Sequence, residues 1–299
     1  MLPTVARAAQ CMNSGSAMNY RHIYHAGNFA DVFKHALLSV VLEYLTRKDK
    51  PFFVLDTHAG LGDYDLGSEE ARRTGEWQEG IGRILRQSTT PDALRPYLDA
   101  LGPVGENGAP MRYPGSPRIA RHFMRDADRL VAVELHPEDA QVLKSRFARD
   151  RQVKVLSLDG YTALKANVPP KERRGLVLMD PPFEHPDEFP TMTRALTEAF
   201  RKWPTGIYGL WYPVKGGGLV PAFHDELATA GLGDVLVAEL TVMPVDDTTN
   251  RLNGTGMVLV NPPWTLEDTL SDLLPWLARV LGRTELGGGD WRLEWLSRK

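Results

Sequence analysis

The chain is nearly without cysteine. Its single thiol, Cys11, has no partner for an internal disulfide, so no disulfide framework holds the fold and a reducing compartment is expected. No apolar run approaches the roughly 20 residues of a membrane helix, and no membrane contact is expected. Residues 1–17, MLPTVARAAQCMNSGSA, lack the apolar stretch of a signal peptide and have too little arginine for a transit peptide. They read as a disordered extension before a start at Met18, and the protein as cytoplasmic. Net charge is small as well: 35 Lys and Arg against 38 Asp and Glu leave −3, so the total does not announce nucleic acid. The distribution is less even. From Pro110 to Lys154 ten basic residues meet six acidic ones, and from Pro221 to Lys299 six meet twelve. Such asymmetry can turn one basic face to phosphates, or it can be ordinary solvated surface.

What is present is ordinary globular composition, 42% hydrophobic over 299 residues, ample for a sizeable core. Seven runs read as strands: PFFVLDT, RLVAVELH, VKVLSLDG, GLVLMDPP, TGIYGLWYPV, DVLVAELTVMPV and GMVLVNPPW. Several are apolar on both faces, as parallel strands covered by helices should be. Helical stretches separate the first six, which predicts a doubly wound α/β fold. The last two are joined by DDTTNRLNGTG, polar, turn-rich and too short for a helix, so they should pair antiparallel. Six alternating strands with a seventh returning antiparallel is the class I S-adenosylmethionine (SAM) methyltransferase pattern, a Rossmann-like seven-stranded sheet. A helix precedes the first strand: in GNFADVFKHALLSVVLEYLTRKDK, Val32, Phe33, Ala36, Leu37, Val40, Val41, Tyr44 and Leu45 recur at helical spacing, with Asn28 or Asp31 as cap.

An insertion is visible in the spacing of acids. The carboxylate that holds a ribose usually follows the glycine-rich turn by about 20 residues. Here Asp56 and Glu134 are 78 residues apart, whereas Glu134 to Asp159 is 25 and Asp159 to Asp180 is 21. The expected organisation is therefore a methyltransferase domain over 18–63 and 117–299, with a small inserted helical subdomain over 64–116.

Open α/β sheets bind ligands at the carboxyl ends of their strands. Four strands end in LDTHAGLG, AVELHP, LSLDG and LMDPPF. In the first, Gly60 and Gly62 would let backbone approach the methionine part of a nucleoside cofactor. Glu134 is placed to accept from ribose hydroxyls and Asp159 from the exocyclic amine of the cofactor adenine. The fourth is one of two similar spellings, GLVLMDPPFEHP and GMVLVNPPWTLE. Methylating an exocyclic amine requires its two N–H hydrogens to be accepted, so that the lone pair leaves conjugation with the ring. A carboxylate and a backbone carbonyl can do this. Proline helps fix that carbonyl, and an aromatic ring can stack on a base swung out of its surroundings. Asp180, Pro181 and Phe183 lie beside the cofactor strands, so DPPF is favoured. Asn261 then reads as a turn former and Trp264 as a core anchor.

The blocks NYRHIYHAGNFADVFKH, PFFVLDTHAGLGDYDLGS, RYPGSPRIA, VELHP, DGYTALK, RRGLVLMDPPFE, GLWYPV and GMVLVNPPW together resemble the RlmJ family, the 23S rRNA adenine-2030 N6-methyltransferases, over nearly the whole chain from Met18. The resemblance implies a class I fold with a helical insertion, SAM as methyl donor, and an adenine of naked or partly assembled large-subunit rRNA as acceptor; no metal is expected to take part. By motif it implies that His35, His58, Ser116, Glu134, Asp159 and Gly160 contact SAM. Asp180 would be the catalytic acceptor, with Tyr20 and Lys34 near the target adenosine. Phe183 departs from the tyrosine usual in the family, which removes a hydroxyl but keeps the stacking face, and the extension before Met18 has no family counterpart.

Direct in-line transfer by a monomer without an obligatory protein partner is the expected chemistry. With the lone cysteine in the tail, a thiolate-dependent cytosine mechanism is excluded. Arg72, Arg73, Arg112, Arg118, Arg121 and Arg125 are candidates for RNA phosphates. Two alternatives stand beside this reading: a DNA adenine methyltransferase, and a non-catalytic assembly factor that keeps a SAM pocket.

Overall fold

The computed structural model describes residues 21–105, 112–216, 218–245 and 251–298. The expected extension over 1–17 and the candidate Tyr20 lie outside the described residues. In chain order the strands are β1 (Phe53–Asp56), β2 (Asp63–Asp65), β3 (Arg112–Pro114), β4 (Arg129–Glu134), β5 (Val153–Ser157), β6 (Gly175–Met179), β7 (Ile207–Val214), β8 (Val235–Thr241), β9 (Gly254–Val260) and β10 (Asp290–Ser297). The helices are α1 (Phe29–Thr46), α2 (Glu69–Thr74), α3 (Glu76–Glu79), α4 (Ile81–Leu85), α5 (Arg95–Leu101), α6 (Ser116–Phe123), α7 (Pro137–Arg146), α8 (Gly160–Asn167), α9 (Glu188–Lys202), α10 (Leu219–Thr229) and α11 (Leu266–Leu281).

Eight strands form one sheet in the order β10-β8-β9-β7-β6-β1-β4-β5. The β4, β5, β6 and β7 pairings around β1 are parallel. β9 runs antiparallel between β7 and β8, as its short polar connection from β8 predicts. This is a class I SAM-dependent methyltransferase fold. The expected count of seven strands is corrected to eight by β10, which pairs antiparallel with β8 at the sheet edge. In DWRLEWLS the tryptophans and Leu293 alternate with Arg292 and Glu294. An edge strand buries only part of its surface and can carry charge, so β10 lacks the continuous apolar run that marks the inner strands.

Alternation along the inner strands feeds two cores. Leu176 and Leu178 of β6 join the cluster built with α1, α5, α6 and α11. Val177 and Met179 join the cluster built with α8, α9 and α10. All five residues of β6 are buried, and a fully buried aliphatic side chain contributes about 1.5–3 kcal/mol, so this strand anchors whatever its end presents. α1 is buried around almost its whole circumference, because the sheet lies on one side and the segment between β1 and α6 on the other. Asn28, rather than Asp31, caps it: its side-chain oxygen accepts from Ala30 N and Asp31 N at 3.0 Å each. Between β1 and α6 the chain forms the two-stranded antiparallel ribbon β2-β3 and helices α2 to α5. Gly80 crosses so close to the turn before α1 that a Cβ there would lie 2.1 Å from Gly27 O.

Candidate active site

The carboxyl ends of β1, β4, β5 and β6 open into a cleft of about 810 Å³. Eleven of the residues singled out for catalysis, cofactor or target adenosine line it, namely Lys34, His35, His58, Gly60, Ser116, Glu134, Asp159, Gly160, Asp180, Pro181 and Phe183, while Gly62 and the candidate phosphate arginines are not among its lining residues. The eleven come from α1, from four strand ends and from the start of α6. The structure therefore brings together residues as far apart in sequence as Lys34 and Asp180.

At one end the glycine-rich turn is tied to β4. Glu134 Oε2 accepts from Gly60 N at 2.9 Å and Oε1 from His136 N at 2.7 Å, and burial raises its carboxyl above the usual glutamate range. Gly60 has φ +58°, and a Cβ there would lie 2.2 Å from Tyr64 Oη. Gly160 needs its hydrogen for a different reason: a Cβ would meet Thr57 O at 2.5 Å and His58 Cε1 at 2.9 Å. Asp159 caps α8, its Oδ1 accepting from Thr162 N at 2.7 Å. His58 packs edge-on against Tyr161 with ring centroids 5.8 Å apart, and burial lowers its pKa to about 4.

Behind this turn, Asp56 is buried and its Oδ2 has no hydrogen-bond partner among the described residues. Burial pushes its carboxyl up to about 7, with the neighbouring Ser116 hydroxyl opposing the shift. An unpartnered buried carboxylate oxygen is costly and calls for a donor, best a cationic one.

The other end is a chain of charges. Lys34 is buried, and its Nζ is ion-paired with Asp31 Oδ1 at 3.0 Å and with Asp180 Oδ2. Burial disfavours its charge, but the Asp180 and Asp31 carboxylates outweigh that and hold the ammonium above the ordinary lysine range. Asp31 also receives His22 Nε2 and Gly27 N, each at 2.9 Å, on Oδ2. Burial alone would raise its carboxyl, yet His22, Lys34 and His35 hold it well below the usual range. His35 is buried against Tyr113, with Nδ1 2.8 Å from the hydroxyl, which is 2.9 Å from that of Tyr97. Burial lowers the His35 pKa to about 3.

Phe183 closes the motif in a left-handed conformation, φ 51°, a placement that costs a non-glycine residue about 1–3 kcal/mol. Its ring lies 4.9 Å from Phe189 and edge-on to Trp211 at 5.8 Å, centroid to centroid. Trp211 carries Lys34 Nζ over its own ring at 5.8 Å and donates from Nε1 to Thr255 Oγ1 at 2.7 Å. Sequence reasoning missed His22 and Trp211. A histidine before a helix has no spacing signal, and an indole inside GLWYPV looks like core.

The second spelling is a different object. Asn261 lies at the end of antiparallel β9, at the opposite end of the sheet from Asp180. Its amide donates to Pro204 O and Gly206 O at 2.8 Å each, and it is Asn261, not the aromatic, that has positive φ, 53°. Trp264, expected as a core anchor, is instead 81% exposed, because the chain turns outward into α11 after the two prolines. The candidate phosphate arginines have partners of their own. Arg112 and Arg118 pair with Asp63, Arg121 with Asp150, and Arg125 with Asp128, while Arg73 lies over the Tyr24 ring at 4.9 Å. Among the described residues no helix is long and apolar enough to cross a membrane, and no group of three His, Cys, Asp or Glu is arranged to hold a metal ion.

The family model described as ribosomal RNA large subunit methyltransferase D, RlmJ, matches residues 49–297. The chain is 42% identical over 279 residues to the ribosomal RNA large subunit methyltransferase J of Escherichia coli, covering 93% of this chain and 99% of that protein. It is 41% identical over 281 residues to the protein of the same name from Haemophilus influenzae, covering 94% and 99%. A crystal structure of a Legionella pneumophila protein superposes with TM-score 0.82 at 33% identity, covering 90% of this chain and 98% of that one. By the extent of the family match and by these relatives, the chain belongs to the ribosomal RNA large subunit methyltransferase D, RlmJ, family.

Proposed function

We propose that the chain methylates N6 of an adenine in 23S rRNA, adenine 2030 by family resemblance, with SAM as donor and naked or partly assembled large-subunit rRNA as substrate. The observation that carries this reading is the end of β6: Asp180, Pro181 and Phe183 face the cofactor strand ends across one cleft, with Asp180 held by Lys34. The residues fit SAM. Gly60 and Gly160 leave space that a Cβ would fill, and the orphaned Asp56 Oδ2 suits the methionine ammonium. Glu134 and Asp159 would hold ribose and adenine, with His35, His58 and Ser116 completing the wall.

When bound, SAM supplies an electrophilic methyl on a sulfonium. The protein's part is positioning and electrostatics. Lys34 occupies Asp180 Oδ2, which orients the carboxylate and leaves Oδ1 to accept one amine N–H. The Pro181 carbonyl accepts the other, and Phe183 stacks on the base. With both hydrogens held, the nitrogen lone pair would be freed from the ring to accept the methyl, and Asp180 would stabilise the positive charge building on N6. The proton lost from N6 would pass to solvent, and no covalent enzyme intermediate or metal is expected.

Incubation with SAM and 23S rRNA, followed by digestion to nucleosides, is expected to yield N6-methyladenosine. Methyl on another base, or on an oxygen, would overturn the assignment.

A further inference from the structure

Four of the arginines that looked suited to phosphates, Arg112, Arg118, Arg121 and Arg125, are ion-paired with acids of their own chain, which directs attention to cations without such partners. A shallow groove of about 250 Å³ runs between α8 and α9. It carries Lys165 on α8 with Arg194 and Lys202 on α9, all exposed. It joins the cleft through Tyr161 and Thr191, which line both, and Tyr161 Oη donates to Glu188 Oε1 at 2.6 Å, tying the two helices at that junction.

We propose that this groove carries the phosphate backbone of the RNA strand that delivers its base to Asp180, an inference that rests on the RNA-methylating reading above. Three observations select it. Among the described residues none of the three cations has an ion-pair partner, and Arg194 makes a single hydrogen bond, to Thr191 Oγ1 at 3.3 Å. Glu198 is the one acid of the lining, so cations outnumber it three to one. The rival route over the loop after Phe183 meets exposed Asp187 at the cleft, which would repel phosphate. Arg194 and Lys202 lie eight residues apart on one stripe of α9, about 12 Å along the axis. At roughly 3.4 Å per stacked nucleotide this spans three or four phosphates.

The test is direct binding of 23S rRNA over a salt series, beside methyl-transfer kinetics. Replacing Lys165, Arg194 and Lys202 together by Gln should flatten the plot of log affinity against log salt by about 2, from roughly 0.7 for each single-strand phosphate contact. With 1 M salt as common reference this is roughly 100-fold weaker binding at 0.1 M. The turnover number at saturating RNA and SAM affinity should stay unchanged. The charge-keeping triple Lys165→Arg, Arg194→Lys, Lys202→Arg should bind as wild type does. So should a control losing equal charge far from the cleft, Lys48→Gln, Lys50→Gln, Arg279→Gln. Unchanged affinity and slope in the groove triple, or equal weakening in the control, overturns the inference. If the triple loses SAM binding through misfolding, the single substitutions decide: each should lower the slope by about 0.7, and no change in any of them overturns it. Wild type that methylates rRNA while the groove variant binds normally refutes the groove alone. Wild type that neither methylates nor binds rRNA refutes the RNA reading and this inference with it.

Discussion

Lys34→Met removes a charge while keeping the length of the side chain, and its consequence can be worked from the burial of Asp31. That carboxylate is 1% exposed and has Lys34 Nζ 3.0 Å from Oδ1. Removing one partner of a buried pair leaves the other charge uncompensated, at a cost of about 3–5 kcal/mol. At about 2–4 °C per kcal/mol for larger domains, the melting temperature should fall by roughly 6–20 °C. The sign with pH follows from Asp31, whose folded pKa is held well below the ordinary value. Its stabilisation is present above the unfolded pKa of about 3.9 and is lost as pH falls through the folded one. Lys34→Met forfeits part of that term, so its deficit against wild type should narrow as the medium is acidified. Adding Asp31→Asn should restore most of the stability, since an amide oxygen can still accept from Gly27 N and His22. It should not restore methyl transfer, because Asp180 has lost the ammonium that orients it. Thermal melts and single-turnover transfer on both variants decide the matter. A Lys34→Met protein melting with wild type, or a double variant of full activity, refutes the reasoning.

Asp180→Ala should cut transfer at least about 100-fold while SAM affinity stays near wild type. Asn261→Ala, which strips two carbonyls of their donor, should cost about 1–3 kcal/mol of stability and leave activity per folded molecule intact; denaturant melts and transfer assays on the pair check both. His35 and His58, lowered to about 3 and 4 by burial, are neutral in the fold. Stability is therefore full above the unfolded pKa of about 6.5 and falls as pH drops below it, by up to about 1.4 kcal/mol per pH unit for each. Urea unfolding between pH 7 and pH 5 should show this slope, reduced in His58→Asn. Asp56, raised to about 7 by burial, is protonated in much of the free protein near neutrality. Pairing with the SAM ammonium would ionise it, so SAM affinity should rise from pH 6 to pH 8, and calorimetry should find that dependence absent in Asp56→Asn.

The inner sheet was legible because parallel strands covered on both faces must be apolar throughout, as in GLVLMDPP, and because a turn as short as DDTTNRLNGTG forces an antiparallel return. The set of cleft-lining residues was legible for the same reason: strand ends in this fold converge, so Glu134, Asp159 and Asp180 could be placed from spacing, while His35 and Ser116 rested on family resemblance. β10 stayed hidden because an edge strand tolerates charge on alternate residues, and β2-β3 because each strand is three residues long. The arginine pairings could not be read, since Asp63 is 49 residues from Arg112 and 55 from Arg118. Trp264 misled because an aromatic after two prolines carries no signal for the direction the chain takes next. The likeness of DPPF to NPPW is likewise one of spelling: positive φ falls on the last residue of one and the first of the other.

The central claim is that the Asp180 cleft acts on one adenine of 23S rRNA. The most direct measurement is transfer of labelled methyl from SAM to 23S rRNA of cells lacking the matching modification, offered protein-free and as mature subunits, with the product base mapped. N6-methyladenine is expected at a single site in the protein-free rRNA, with little or none in mature subunits. Saturable SAM binding without transfer to any rRNA would contradict the claim and favour a non-catalytic assembly factor.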